Sequence, residues 1–137
     1  MIGILIVCHG TLASSLAAAV THVLGTRPAQ FETLSVGAKD DPSQLLPKAR
    51  QIVQGLDAGD GVLVFSDIYG ASPCNLASKL LVKGRIEALA GVNLPMLVRA
   101  ITYRDRDLDT MMKKAISGGC DGVLRVEVDP LYAATRS

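Results

Sequence analysis

Two short stretches of the chain are apolar almost without interruption, and each stops abruptly at polar residues. Ile2-Gly3-Ile4-Leu5-Ile6-Val7 runs into Cys8-His9-Gly10, and Val62-Leu63-Val64-Phe65 runs into Ser66-Asp67. Runs of this length, rich in β-branched residues, predict strands buried on both faces, as inside a parallel sheet. Phe31–Val36 alternates apolar and polar and predicts a further strand. Residues 86–91 form a short strand candidate, and residues 122–128 a last one.

Between these stretches the spacing turns helical. Leu12, Leu16, Val20, Val23 and Leu24 fall on one face, and Gly25 and Pro28 end that helix. Asp41-Pro42 caps and opens a second helix carrying Leu45, Leu46, Ala49, Ile52, Val53 and Leu56, with Pro47 near its first turns. Ser72-Pro73 repeats the cap-then-proline signal before a helix over residues 74–82. Pro95 opens another, which continues with interruptions to Ser117, where Gly118-Gly119 stops it.

Strand and helix therefore alternate four times, and one strand closes the chain. That pattern defines the α/β class: a three-layer sandwich with a mainly parallel central sheet, helices on both faces and right-handed crossovers. The closing strand can run either way on this reading, and the tail from Pro130 reads as frayed. Residues 1–137 read as a single domain.

Composition narrows the function. The 137 residues are 49% hydrophobic and 20% charged, with a net charge of +1, an ordinary globular balance. A nucleic-acid binder that neutralises many phosphates needs more positive charge than this. There is no basic stripe, and three Tyr, two Phe and no Trp offer few stacking platforms. The expected partners are proteins or small molecules. The N-terminal apolar run is too short for a membrane span and lacks the basic flank of a secretory signal. Three cysteines without paired spacing do not form a disulfide framework, so the expected location is cytoplasmic.

In open α/β sheets ligands bind at the carboxyl ends of the strands. If the two apolar strands are neighbours, His9 and Asp67 lie on that edge within hydrogen-bond reach. A carboxylate on one imidazole nitrogen fixes the tautomer and leaves the other nitrogen nucleophilic. Ser72 adds a hydroxyl, the helix at Pro73 adds unpaired N–H groups, and Gly10 and Thr11 lead into a second helix start. Such termini are anion sites, and together they suit a phosphoryl group on imidazole. Taken singly, His9 is equally a surface residue, Asp67 a turn residue and Ser72 a helix cap. Cys8 and Cys74 share the edge, but no ligand spacing supports a metal site. A Cys8 nucleophile meets the difficulty that successive strand residues point to opposite faces. Cys120 has no role on this reading, and His22 is solvated. The Arg104-Asp105-Arg106-Asp107 run reads as a solvated, charge-balanced segment. Neither the dinucleotide nor the P-loop glycine pattern occurs.

Three stretches in register carry a family resemblance: residues 1–10, ending Val7-Cys8-His9-Gly10; Phe65-Ser66-Asp67-Ile68-Tyr69-Gly70-Ala71-Ser72-Pro73-Cys74-Asn75; and Gly91-Val92-Asn93-Leu94-Pro95-Met96-Leu97. The chain resembles the IIA component of the mannose-type sugar phosphotransferase system (PTS) over nearly its whole length. The resemblance implies a parallel sheet with a final antiparallel strand, often exchanged across a homodimer. It implies that His9 accepts a phosphoryl group from the histidine phosphocarrier protein and passes it to a IIB component. Asp67 matches the aspartate that bonds the histidine and Ser72 the phosphate-contacting serine; no cofactor and no metal are implied. Sugar choice would lie in the membrane components, and contact with the membrane would come only through those partner subunits. Cys8, Ala71 and Cys74 depart from the usual Thr, Gly and Phe, which would alter the partner surface or add redox sensitivity. With no IIB domain in the chain, the acceptor is expected to be a separate protein. An alternative is a regulatory phosphoprotein whose His9 state controls binding to a kinase or transcriptional regulator. A subunit for a dihydroxyacetone kinase and a flavodoxin-like ligand module are weaker alternatives.

Overall fold

The computed structural model describes residues 1–128. Its elements in chain order are β1 (Gly3–His9), α1 (Leu12–Leu24), β2 (Phe31–Val36), α2 (Pro42–Leu56), β3 (Val62–Ser66), α3 (Ser72–Ser78), β4 (Ile86–Leu89), α4 (Leu94–Thr102) and α5 (Leu108–Asp121). The four strands pair in parallel in the order β2-β1-β3-β4. β1 and β3 are therefore the central pair, with Ile4 opposite Leu63 and Val7 opposite Ser66.

The two-residue period of the strands divides the core into two layers. Ile2, Ile4, Ile6 and Cys8 of the first run, with Leu63 and Phe65, pack against α1, α4 and α5. Leu5 and Val7, with Val62 and Val64, pack against α2 and α3. Burial on both faces is why the central strands carry no polar alternation.

Several expectations need correction. The buried stripe of α1 is Ala13, Ala17 and Val20, whereas Leu12, Val23 and Leu24 are exposed. Alanine has no bulk beyond Cβ, so the alanine side lies closest to the sheet and the larger residues fall outside it. The helix expected over residues 74–82 starts at Ser72 and ends at Ser78; Ala71 stands at its N-cap and Ser72 is already helical. The helix expected from Pro95 to Ser117 is two helices. The second does not stop at Gly118-Gly119: it continues to Asp121, because both glycines face α4. A Cβ at Gly118 would lie 2.7 Å from the Arg99 Cβ, and one at Gly119 would lie 2.8 Å from the Met96 Cε. These glycines serve close approach and not termination.

The charged run 104–107 is not solvated throughout. Arg104 is buried, and its guanidinium donates to the carbonyls of Ile2 (3.1 and 2.6 Å), Ala29 (2.7 Å) and Gln30 (3.1 Å). Asp107 caps α5, accepting from the Thr110 N–H at 2.8 Å.

The closing strand is absent among the described residues. Residues 123–128 have no strand pairing, and Val123, Leu124, Val126 and Val128 are exposed. A strand needs a partner edge, and none of the described strands supplies one to this segment. The rest of the tail, from residue 129, lies outside the described residues.

Candidate functional site

The strand order reverses its direction of winding between β1 and β3. From β1 the chain crosses to β2 on one side, and later elements add on the other. That switch point is where open α/β sheets leave a crevice at their carboxyl ends. β1 ends at His9 and β3 at Ser66, so the crevice is edged by His9 and Asp67.

The two residues meet. The His9 Nδ1 lies 2.7 Å from the Asp67 Oδ2, and the same oxygen accepts the His9 backbone N–H at 2.9 Å. The Asp67 Oδ1 accepts the Ile68 N–H at 2.8 Å. One side chain is thus fixed by three donors, two of them from the residue it orients. The Asp67 side chain is only 9% exposed, whereas that of His9 is 48% exposed. Burial alone would raise the Asp67 carboxyl. The hydrogen bonds from the His9 backbone and ring and from Ile68 outweigh it and hold the group below the usual carboxylate range. A carboxylate at Nδ1 sets Nδ1 as the protonated nitrogen. The Nε2 lone pair is then the one available for bonding.

Gly10 turns the chain out of β1 in the left-handed region (φ 54°), while its N–H holds the β2 end through Val36 at 3.0 Å. Thr11 is the N-cap of α1, and its hydroxyl makes no capping bond. Ser72, the first helical residue of α3, is exposed, and α3 packs against β1 and β3. Neither α1 nor α3 carries an acidic residue in its first turn, so no fixed negative charge opposes an anion at either start. Among the described residues, His9 is hydrogen-bonded to Asp67, while Ser72 and the Thr11 hydroxyl have no direct bond to that pair.

Cys8 points into the core beside α1 and is fully buried. Desolvation, with the Asp67 charge behind it, pushes its thiol up to about 12, which keeps it protonated and inert. Cys74 is half-buried, and Cys120 is exposed. Among the described residues, no three or more His, Cys, Asp or Glu side chains gather as a metal site would need.

Two features escaped the sequence reading. The Ile68 N–H is the third clamp on Asp67. Ile68 and Tyr69, 62% and 86% exposed, form an apolar rim beside the histidine. Two large apolar residues inside a polar strand-to-helix connection were the available signal.

Residues 3–116 match the family described as PTS system fructose IIA component. The chain is 34% identical over 136 residues to the PTS system mannose-specific EIIAB component of Escherichia coli K12, and equally to that of Shigella flexneri, covering 97% of its own length. It spans 42% of the length of those relatives. Among solved structures, the phosphotransferase system component EIIA of Streptococcus agalactiae superposes with a TM-score of 0.81 at 24% identity, covering 91% of this chain and 97% of that one. The mannose/sorbose specific IIA subunit of Enterococcus faecalis gives 0.81 at 23% identity over 93% and 96%. At that identity these two establish the shared fold. The chain belongs to the mannose-type IIA family of the sugar phosphotransferase system.

Proposed function

We propose that His9 is the phosphoryl acceptor, that Asp67 orients it, and that Ser72, Thr11 and Gly10 hold the phosphate. The observation that carries this reading is the 2.7 Å contact between the His9 Nδ1 and the Asp67 Oδ2 beneath an exposed ring. The Nε2 lone pair attacks the phosphorus of a phosphohistidine on the histidine phosphocarrier protein. The donor's N–P bond breaks as the new one forms, and the donor imidazole leaves with the electron pair. The Nδ1 proton stays in place, and the Asp67 carboxylate balances the positive charge on the phosphorylated ring. The reverse geometry passes the group to a IIB component. No step calls for a cofactor.

Both exchanges are between proteins, and the exposed side chains of Ile68 and Tyr69, next to Asp67 in the chain, suit such docking. No described helix is long and apolar enough to cross a membrane. Together with the free cysteines, this supports a cytoplasmic carrier that reaches the membrane only through partner subunits. We further read residues 1–137 as one domain that forms a homodimer, with residues 122–128 adding to the partner's sheet as an antiparallel strand. The exposed side chains of Val123, Leu124, Val126 and Val128, and the position of β4 at the sheet's edge, support that reading.

The test is incubation with phosphoenolpyruvate, the upstream kinase and the phosphocarrier. Wild type gains acid-labile phosphate and His9→Ala does not; label persisting in His9→Ala overturns the assignment.

A further inference from the structure

Asp67 is held from two sides. Its carboxylate accepts from His9 and Ile68, and its backbone carbonyl accepts the Gly91 N–H at 2.7 Å. The next residue, Val92, donates to the Ser66 carbonyl at 3.0 Å. Both donors belong to the connection between β4 and α4, which folds back over the end of β3. The connection is itself tied down. Asn93 caps α4 by accepting the Met96 N–H at 2.9 Å, and its amide donates to the Gly119 carbonyl of α5 at 3.1 Å. A run of short contacts therefore leads from α5 through this strap to Asp67, and from Asp67 to His9.

Gly91 sits in the left-handed region, with φ 84°, and nothing lies within 4 Å of where its Cβ would be. Glycine is required there by backbone conformation and not by crowding. A β-branched residue is driven out of this region, while Asn tolerates it. Leaving it rotates the Gly91 N–H away from Asp67.

We infer that Gly91 is a positioning residue for phosphoryl transfer: its left-handed backbone aims an N–H at the Asp67 carbonyl and so keeps the carboxylate on the His9 ring. The inference rests on the His9–Asp67 reading above. Gly91 touches neither the ring nor the phosphorus; it acts through Asp67.

The full chain is compared with Gly91→Val, Gly91→Ala and Gly91→Asn in the phosphoenolpyruvate assay, with urea stability measured alongside. The ring ¹⁵N shifts of His9 are read with the imidazole neutral. Gly91→Val is expected to lose about tenfold or more in maximal rate, with the donor KM within about twofold, because misplacement costs chemistry more than encounter. Its His9 shifts move from the Nδ1–H tautomer toward a mixture. Gly91→Asn stays within about threefold of wild type and keeps the wild-type tautomer. If Gly91→Val does not fold, Gly91→Ala carries the test, with an expected loss of about threefold and a smaller shift of the same kind. Wild-type rate and tautomer in the folded Val variant, or in Ala where Val does not fold, overturn the inference, as do equal losses in Asn and Val. His9→Ala in the same assay separates the two claims. If it still takes up acid-labile phosphate, the His9 reading fails and this one with it. If it is inert while folded Gly91→Val matches wild type, only the positioning role is lost.

Discussion

A single oxygen of Asp67 receives both the ring Nδ1 of His9 and the backbone N–H of the same residue, at 2.7 and 2.9 Å. The carboxylate thereby fixes where His9 leaves the strand as well as which nitrogen carries its proton. Asn in place of Asp67 can serve the backbone N–H through its carbonyl, but it brings no charge to balance a phosphorylated ring. Asp67→Asn is therefore expected to lower the rate of phosphate uptake by about 10²-fold or more while leaving the fold intact. Rapid-quench measurement of acid-labile label, with circular dichroism as the control, checks this; a rate within threefold of wild type would count against the orienting role.

The same contacts make stability depend on pH with a definite sign. The folded Asp67 carboxyl lies below its ordinary value of 3.8, so its ionised form favours the native state. That contribution is fully present above the unfolded value and is lost as pH falls through the lower folded value. In urea titrations the stability gap between wild type and Asp67→Asn should shrink as pH falls below about 4, where the carboxylate takes up its proton. A gap that widens on acidification below about pH 4 would reverse the assignment.

Much of this was legible because strand and helix periods differ. The runs before His9 and after Gly61 read as two-sided strands, and if such strands are neighbours His9 lies beside Asp67; that adjacency is the β1–β3 pairing of the structure. What was not legible depends on partners distant in sequence. Gly118 and Gly119 carry the usual stop signal, and only the approach of Arg99 and Met96 turns them into packing residues. Arg104 looks like any solvated arginine until three carbonyls from the ends of two strands converge on it. Leu12 and Val23 match the helical stripe by spacing, yet the sheet takes the alanine side of α1.

Arg104 ties the start of β1 to the start of β2, and the bond is reciprocal, since the Ile2 N–H donates back to the Arg104 carbonyl at 3.2 Å. Lysine has one cationic nitrogen where this site uses three in a planar fork. Arg104→Lys should cost about 2–4 kcal/mol by urea denaturation, since carbonyls of Ile2, Ala29 or Gln30 lose their donor. The His9 ring environment at the opposite end of the sheet should be unchanged by NMR. A loss under about 0.5 kcal/mol would show that water replaces the guanidinium at little cost.

The three thiols should separate cleanly by reactivity. At pH 8 a thiol near 12 is ionised on the order of one part in 10⁴, and Cys8 is enclosed as well. An aromatic disulfide reagent should titrate Cys120 first and Cys74 more slowly. Cys8 should react only once the protein is unfolded. Rapid labelling of three thiols in the native protein would restore redox sensitivity at Cys8, the residue before His9.

Tyr69 leaves 86% of its surface exposed one residue beyond Ile68, whose N–H clamps Asp67. A tyrosine in that position is of little use to the isolated fold but is well placed to anchor a partner, because it buries a large rigid surface at small entropic cost. If the rim is the docking surface, Tyr69→Ser should raise the KM for the phosphorylated phosphocarrier by about fivefold or more, equivalent to a contact worth about 1 kcal/mol. The maximal rate should hold, because neither His9 nor Asp67 moves. Unfolding stability should shift by less than about 0.5 kcal/mol, as at other exposed sites. A fall in maximal rate with an unchanged KM would instead place Tyr69 in the geometry of the transfer, and an unchanged rate and KM would move the docking surface elsewhere on the molecule.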